Sequence, residues 1–340
     1  MMTGSPMVST YSMWSLFRNC RKAVDWRYLQ ELVPLQRDRN LHFGSLIHEC
    51  LQEWYERRDL AQVLALIDRL CPNRLQDENQ RRDWHLAVAM MRAYAERYAY
   101  DDFDVIGLEQ NFEGPIINPA TSAASRSFVL AGKVDGIVRI GREHFILEHK
   151  TAAQIDGDYL ERLWTDFQIT IYAHYIEQTM GIPITGILYN VLVKAKLQQI
   201  KGETEEEYQA RREELLAKSK TGKTTAKRKL PESDEEFQER LAEKYADPAM
   251  FHREMLYLSR DRFDVLRSEL WELTQAFLDA RRRGVFYQNT AFCFNYQRPC
   301  AYFALCRSNG NPNVIENFYQ RVPPNAELRV LPSDAPEPTF

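Results

Sequence analysis

Two acidic residues and a lysine, Asp135, Glu148 and Lys150, are the side chains of this 340-residue chain whose types and spacing could do chemistry. Along a strand predicted over residues 143–150, alternation places Glu148 and Lys150 on one face. A short hairpin at Gly141 would bring Asp135 opposite Glu148. Two carboxylates at that separation repel each other unless a cation lies between them, and Mg2+ prefers oxygen ligands. The pair therefore predicts a site for a hard divalent ion.

A lysine beside such an ion has a chemical use. Lys150 could orient or help deprotonate an attacking water and offset the charge of a pentavalent phosphate, which is the chemistry of phosphodiester hydrolysis. The alternative is structural: Asp135 and Glu148 would be strand-edge charges, and Lys150 would pair with one of them. An acid-x-lysine triplet occurs often by chance, so the two strands alone leave both interpretations open.

The elements that must position these residues follow from the spacing of apolar side chains. Helical spacing predicts helices over residues 43–55 and 83–98, and alternation predicts a three-strand meander between residues 105 and 150. A helix over residues 159–180, ended by Gly181 and Pro183, and a buried strand over 184–193 follow. This order predicts an α/β fold with a mixed sheet flanked by helices.

Composition suggests how the remainder is divided. Residues 10–193 are expected to form the core, and the highly charged residues 194–255 an insertion. Residues 256–310 would form a C-terminal unit that begins with a long helix over 261–283, ended by Gly284. The last residues, 323–340, include five prolines and are expected to form a disordered tail.

The net charge of -4 gives no global sign of nucleic-acid binding. One stretch is locally basic and holds no acid, and it is a candidate for contact with DNA or, alternatively, a solvated mobile loop. Its cations are Lys218, Lys220, Lys223, Lys227, Arg228 and Lys229. The sequence contains no run long and apolar enough for a membrane span and no secretory signal, so a cytoplasmic protein is expected.

Four short motifs in a fixed order carry a family resemblance. They are Gly-Ser-Leu-Ile-His ending at His48, Gly-Lys-Val-Asp ending at Asp135, Ile-Leu-Glu-His-Lys-Thr around Glu148 and Lys150, and Gln-Ile-Thr-Ile-Tyr from Gln168 to Tyr172. Together they resemble the motifs of PD-(D/E)XK nucleases of the RecB-like branch. The resemblance implies the restriction-endonuclease-like mixed sheet, with residues 10–193 as the nuclease core.

The resemblance also implies roles for these residues. Asp135 and Glu148 would hold Mg2+ or Mn2+, and His48 is a candidate nitrogen ligand, which would favour manganese. Lys150 would activate water, while Gln168 and Tyr172, one helical turn apart, would position the DNA. The alternatives are a surface histidine at position 48 and packing of Gln168 and Tyr172 against the sheet.

Six cysteines fall into two groups. Cys50 lies on an apolar helical stripe and Cys71 precedes a proline, so both are expected to be structural. Thiolates from the other group would suit zinc or an iron-sulfur cluster, and their spacing alone does not decide between these or exclude unrelated free thiols. This second group is Cys20, Cys293, Cys300 and Cys306. One N-terminal cysteine with three near the C-terminus resembles the iron-sulfur subset of RecB-like nucleases, which implies a structural [4Fe-4S] cluster.

The expected function is that of a Mg2+- or Mn2+-dependent deoxyribonuclease, an exonuclease acting on DNA ends in phage or bacterial replication, recombination or repair. It would act alone or with a separate helicase or recombination protein. Relatives include AddB-type helicase-nucleases and CRISPR-adaptation nucleases, so trimming of DNA before integration is one alternative. A catalytically silent DNA-binding module of the same fold is another.

Overall fold

The strands of the protein build one large sheet and two small ones. The computed structural model describes residues 5–36, 39–219, 221–295, 298–325 and 328. In chain order the strands are β1 (Met7–Ser9), β2 (Leu32–Pro34), β3 (Asp104–Ile117), β4 (Ala124–Ile140), β5 (Glu143–Ala152), β6 (Gly186–Val193), β7 (Phe251–Tyr257), β8 (Phe294–Asn295), β9 (Arg298–Pro299) and β10 (Tyr319–Arg321).

Helices lie on both faces of the large sheet and around the small ones. In chain order they are α1 (Tyr11–Asn19), α2 (Arg21–Val24), α3 (Arg39–Arg57), α4 (Leu60–Leu70), α5 (Glu78–Arg97), α6 (Gly157–Leu163), α7 (Phe167–Met180), α8 (Glu205–Lys218), α9 (Asp234–Tyr245), α10 (Asp261–Arg283), α11 (Phe303–Arg307) and α12 (Pro312–Phe318).

The large sheet is mixed, as the order of elements predicts. Strands β3, β4 and β5 form the expected antiparallel meander, and β6 runs parallel to β5. The order across the sheet is β1-β4-β5-β6-β7, with β3 on the other edge of β4. Strands β1 and β5 therefore share one edge of β4: β1 pairs with residues 128–130 and β5 with residues 136–140. Between them β4 separates from β5.

Two hydrophobic cores sandwich the sheet. One packs α3, α4, α5 and α9 against Leu147 and its neighbours on one face. The other packs α1, α7 and α10 against Ile146 and its neighbours on the opposite face. Because successive side chains of β5 alternate between the two cores, Glu148 belongs to the face of α7 and His149 to the face of α3.

The single helix predicted over residues 159–180 is wrong. Helix α6 ends at Leu163 and α7 begins at Phe167. Asp166 interrupts the helix because its side chain accepts the N–H of Gln168 at 2.9 Å and so caps a new helix. Arg262, at the start of α10, donates to the carbonyl of Trp164 at 2.7 Å and holds the break in place.

The charged segment over residues 194–255 contains regular structure. Helices α8 and α9 each begin with a capping box, from Thr204 and Ser233 respectively. Strand β7 crosses the predicted boundary at residue 255 and pairs with β6 in the large sheet. The division into domains remains a prediction. In the predicted tail, residues 326, 327 and 329–340 lie outside the described residues.

The two ends of the chain meet in a third, smaller cluster. Strand β10 pairs antiparallel with β2, so that Tyr319 lies opposite Pro34. Beside this pair, Trp26 and Cys20 from the N-terminal segment pack with Tyr302 and Leu305 from the C-terminal segment. Helix α10 has its predicted bounds, and Gly284 ends it in the left-handed conformation with φ 67°. Among the described helices, none is long and apolar enough to cross a membrane.

Close contact between β6 and β7 yields a stability prediction. A Cβ atom at Gly186 would overlap the backbone carbonyl of Leu256, which cannot move without shifting β7. We expect Gly186→Ala to lower the free energy of unfolding by about 1–3 kcal/mol, measured by urea denaturation. Gly157→Ala is the matched control because a Cβ there meets no atom. Equal stability of the two variants would contradict this account of the strand pair.

Candidate functional site

Asp135 and Glu148 lie where β4 and β5 separate. Gly136 and Leu147 are the last paired residues of the two strands, and the two acids follow them directly on either side. Strand separation frees the Asp135 carboxylate to accept the backbone N–H of His149 at 2.8 Å. Glu148 is only 6% exposed. The sequence thus places two carboxylates side by side at the edge of a buried region.

Lys150 connects this pair to helix α7. Its ammonium donates to Glu148 Oε1 at 2.7 Å and to Gln168 Oε1 at 3.0 Å. The amide nitrogen of Gln168 in turn donates to the hydroxyl of Tyr172 at 2.7 Å. Gln168 reaches the sheet because the Asp166 cap starts α7 at this point. Glu148, Lys150, Gln168 and Tyr172 therefore form one chain of hydrogen bonds.

His48 approaches from the opposite side of the sheet, on α3. Its Nδ1 atom lies 3.3 Å from Asp135 Oδ1. One turn earlier on α3, Gly44 faces the end of β5: a Cβ there would lie 3.4 Å from Thr151 Oγ1, at the limit of ordinary contact. The structure thus brings the four predicted motifs together around Asp135 and Glu148.

The four cysteines set apart in the sequence also converge. Cys20, Cys293, Cys300 and Cys306 line one cavity between α2 and the C-terminal segment. The sulfur of Cys306 accepts the indole N–H of Trp26 at 3.4 Å. None of the six cysteines forms a disulfide. Cys50 and Cys71 lie apart from this cavity and are fully buried in the first core. The structure brings together residues that are separated by more than 270 positions in the chain.

The basic segment lies away from these groups and is partly neutralised. Its loop folds back on α8, where Tyr208 donates to the carbonyl of Ala226 at 3.0 Å. Lys218 pairs with Glu214, and Arg228 lies 3.6 Å from Glu205. Lys220 lies outside the described residues. The remaining members are Lys223, Lys227 and Lys229, whose contact with DNA remains a prediction.

Comparison with known proteins places this geometry in a family. The sequence model of the PD-(D/E)XK nuclease superfamily matches residues 9–307. The chain belongs to this superfamily. Among solved structures, it is similar to a protein of Eubacterium rectale named "Putative exonuclease", with 10% identity, coverage of 88% of this chain and 87% of that chain, and a TM-score of 0.41. No curated protein matches the chain.

Burial sets the electrostatics of this PD-(D/E)XK site. It raises the pKa of Glu148 to about 7, and the charge of Asp135 adds to the effect against the opposing pull of Lys150. Burial acts the same way on Asp135, but hydrogen bonds from His48 and the His149 backbone outweigh it and lower its pKa. The pKa of Glu148 is thus above that of an ordinary carboxyl, and the pKa of Asp135 is below it.

Burial has the opposite effect on the pKa values of the two basic side chains, Lys150 and His48. Burial alone would lower the pKa of Lys150, but the carboxylate of Glu148 more than offsets it and raises the pKa above its usual value. The pKa of His48 is also raised, because Asp135 outweighs the effect of burial. Lys150 is therefore positively charged in the metal-free protein. A charged ammonium can offset negative charge, whereas it cannot take a proton from water.

The donor set fits the divalent metals, such as Mg2+ or Mn2+, that PD-(D/E)XK nucleases generally use. Two carboxylates and an imidazole meet in one place, and the raised pKa of Glu148 is that of a buried acid with too little positive charge beside it. In the described ranges, no three His, Cys, Asp or Glu side chains lie close enough together to hold an ion as they stand. Glu148 instead faces Lys150, and Asp135 faces His48.

A buried polar network behind the site escaped the sequence analysis. The ring of His149 lies 3.0 Å from the amide of Asn190, which donates to the hydroxyl of Tyr94 at 2.9 Å. Tyr94 is 2.7 Å from the hydroxyl of Tyr55, to which Arg253 also donates at 3.1 Å. This network ties α3 and α5 to β5, β6 and β7. Asn190, in an otherwise apolar strand, was the signal that could have revealed it.

The raised pKa of Glu148 predicts a pH dependence of stability in the metal-free protein. The folded state keeps its proton up to about pH 7, whereas an ordinary glutamate loses it near 4.5. Between these values the folded state binds more protons, so its stability falls as pH rises. We expect Glu148→Gln to gain stability relative to wild type across this window, by up to roughly 3 kcal/mol.

Urea unfolding in EDTA at pH 5 and pH 7.5 measures this difference. The comparison isolates Glu148, because all other titrating groups are shared by the two proteins. A stability difference that is the same at both pH values would show that Glu148 titrates as an ordinary exposed acid.

Proposed function

We propose that the protein is a metal-dependent deoxyribonuclease that acts as an exonuclease on DNA ends. The observation that supports this most directly is the junction of Asp135, Glu148 and Lys150 within a PD-(D/E)XK chain. A catalytically silent module would have no need to keep both carboxylates beside a lysine in a buried site. Their desolvation costs stability that a structural role does not require.

The metal would be held by Asp135 and Glu148, with His48 as a third ligand. A bound Mg2+ or Mn2+ supplies a water of lowered pKa and offsets charge on the phosphate. For both acids to face it, Glu148 would exchange its contact with Lys150, and Asp135 its contact with His48, for the ion.

The remaining groups of the site act on the DNA and on its charge. Lys150, released from Glu148 yet still beside Gln168, would place its ammonium next to the scissile phosphate and stabilise negative charge there. Gln168 and Tyr172 would bind a neighbouring phosphate or sugar through their amide and hydroxyl groups. Because Gln168 contacts both Lys150 and Tyr172, positioning of the strand and of the ammonium would be coupled.

The four cysteines are proposed to hold a [4Fe-4S] cluster with a structural role. The proposal is supported by the convergence of Cys20, Cys293, Cys300 and Cys306 on one cavity, because thiolates are the ligands of iron-sulfur clusters. Four thiolates also suit one zinc ion, and the metal content of the protein decides between the two. The cluster would join Cys20 to the C-terminal segment.

The proposed location, pathway and partners of the protein are those that the resemblance to RecB-like nucleases implies. The protein would act in the cytoplasm, in phage or bacterial DNA replication, recombination or repair. It would work alone or with a separate helicase or recombination protein. These assignments are supported by the order of the motifs and go beyond the geometry of the site.

Loss of either carboxylate or of the lysine is expected to abolish digestion. Asp135→Asn, Glu148→Gln and Lys150→Ala should each slow cleavage of end-labelled DNA in Mn2+ by at least about 100-fold, because each removes a charge from the reacting centre. Gel analysis of single- and double-stranded substrates measures the rate and shows whether products are released from an end. Glu143→Gln, an exposed acid on the same strand, is the matched control.

Two outcomes would contradict the assignment. Digestion by Asp135→Asn at the wild-type rate would place catalysis elsewhere. A wild-type protein that binds DNA without cutting it in Mg2+ or Mn2+ would favour the silent module. Closed circular DNA tests the preference for ends, since an exonuclease leaves it intact.

Protein purified without oxygen should be brown and contain iron and acid-labile sulfide in near-equal amounts. Cys300→Ala should lose most of both, since it removes one of the four thiols lining the cavity. Cys71→Ala is the matched control, because that thiol is buried in the first core. Colourless protein that contains zinc, or unchanged iron in Cys300→Ala, would refute the cluster.

A further inference from the structure

A second cavity lies beyond the strand ends that carry the site. It has a volume of about 780 Å3 and is lined by Thr151 and Ala152, which directly follow Lys150 on β5. Phe43, at the start of α3, forms part of its floor. A neighbouring cavity of about 720 Å3 shares Arg82 and Gln198 with it. The two form one groove that starts at the end of β5, at the residues that follow Lys150, and passes along the beginning of α5.

The charge of this groove is opposite to that of the chain. Four cations line the first cavity, Arg82, Lys194, Lys196 and Arg298, against one acid, Asp83. This is a local excess of three positive charges in a protein whose net charge is -4. A groove lined by charges of one sign concentrates ligands of the other. The groove therefore favours an anionic ligand.

Three of these cations have no partner among the described residues. Lys194 pairs with Asp83 at 3.0 Å. In the part of the chain that the structure describes, no ion pair or side-chain hydrogen bond involves Arg82, Lys196 or Arg298. The Nε atom of Arg82 is buried without a hydrogen-bond acceptor from the protein. Because a buried N–H needs an acceptor, a phosphate oxygen in the groove would satisfy this group, as water would in its absence.

Arg298 reaches the groove from the cysteine-bearing segment. It lies on β9, which pairs with β8 between Cys293 and Cys300. The N–H of Cys300 donates to the carbonyl of Cys293 at 2.8 Å, next to the pair formed by β8 and β9. The same few residues thus place two thiols at the cysteine cavity and one guanidinium at the groove.

We propose that Arg82, Lys196 and Arg298 bind the phosphates of a single DNA strand beyond the end of β5, and that strand β9 presents Arg298 to that DNA strand. This inference rests on the proposed nuclease function and adds the path of the substrate. The volume of the first cavity is in the range of small-ligand pockets, which suits a short stretch of one strand.

The lining also indicates how the strand is recognised. Phe43 is fully covered, with the Lys194 ammonium 3.8 Å above its ring, and offers no surface for a base to stack on. Contacts with bases are therefore minor, and binding is to the backbone. Such binding is independent of sequence and weakens steeply with salt.

Fluorescence anisotropy with a labelled single-stranded oligonucleotide in EDTA tests the proposal without requiring cleavage. The triple variant Arg82→Ala, Lys196→Ala and Arg298→Ala should bind roughly 100-fold more weakly at 0.1 M salt, and the slope of log Kd against log salt should fall by about 2. Arg298→Ala alone should lower the slope by about 0.7. Oligonucleotides of different sequence should give the same losses.

Matched controls separate the groove from other cations. Arg307→Ala removes an exposed arginine of the same C-terminal segment outside the groove. The variant Arg281→Ala, Arg282→Ala and Arg283→Ala removes three charges from the exposed end of α10, outside the groove. Both should bind as wild type does. Equal weakening in the α10 variant and the groove variant would show a general effect of charge and would overturn the inference.

The outcomes also distinguish this inference from the proposed function. Wild-type affinity and salt slope in the groove variant would refute the groove, even if the wild type cuts DNA. Loss of binding in the groove variant of a protein that never cuts DNA would support the groove and refute the nuclease. Tighter binding of duplex than of single-stranded DNA, with the same losses, would overturn the assignment to one strand.

Discussion

The separation of β4 and β5 beyond Gly136 and Leu147 is the constraint on which the site depends. If β4 and β5 stayed paired, their backbone groups would bond to each other. Because the strands separate, the Asp135 side chain accepts the backbone N–H of His149, and Glu148 lies beside it. Two carboxylates this close repel each other, and neighbouring groups offset their charge. Lys150, which also donates to Gln168, does so from one face, and His48 from the other.

Much of this arrangement could be predicted because it is encoded locally. Alternation fixed the face of Glu148 and Lys150, and the hairpin at Gly141 fixed their position relative to Asp135. The long helix ending at Gly284 was equally well defined, since one stripe of apolar residues and one left-handed glycine mark it. In such segments, neighbours in sequence supply most of the information about structure.

The remainder depends on contacts between distant residues. The break before α7 involves Arg262 from another helix. The network behind the site joins Tyr55, Asn190 and Arg253, of which only Asn190, a polar residue in an apolar strand, stands out in the sequence. The basic groove is the clearest example. A search for runs of charge finds residues 218–229, whereas the unpaired cations Arg82, Lys196 and Arg298 are isolated in the sequence and meet only in the fold.

Joining of the two chain ends has a consequence for the order of folding. Strands β3 to β6 and helix α7 are complete once residue 193 has been synthesised. Strand β2, in contrast, must wait for β10, and Cys20 for the cysteines near residue 300. Contacts this distant in sequence form late, because loop closure opposes them. A growing chain would therefore hold its carboxylate pair before it has the wall that supplies Arg298. Completion of the C-terminus would turn an assembled core into a protein able to hold its substrate.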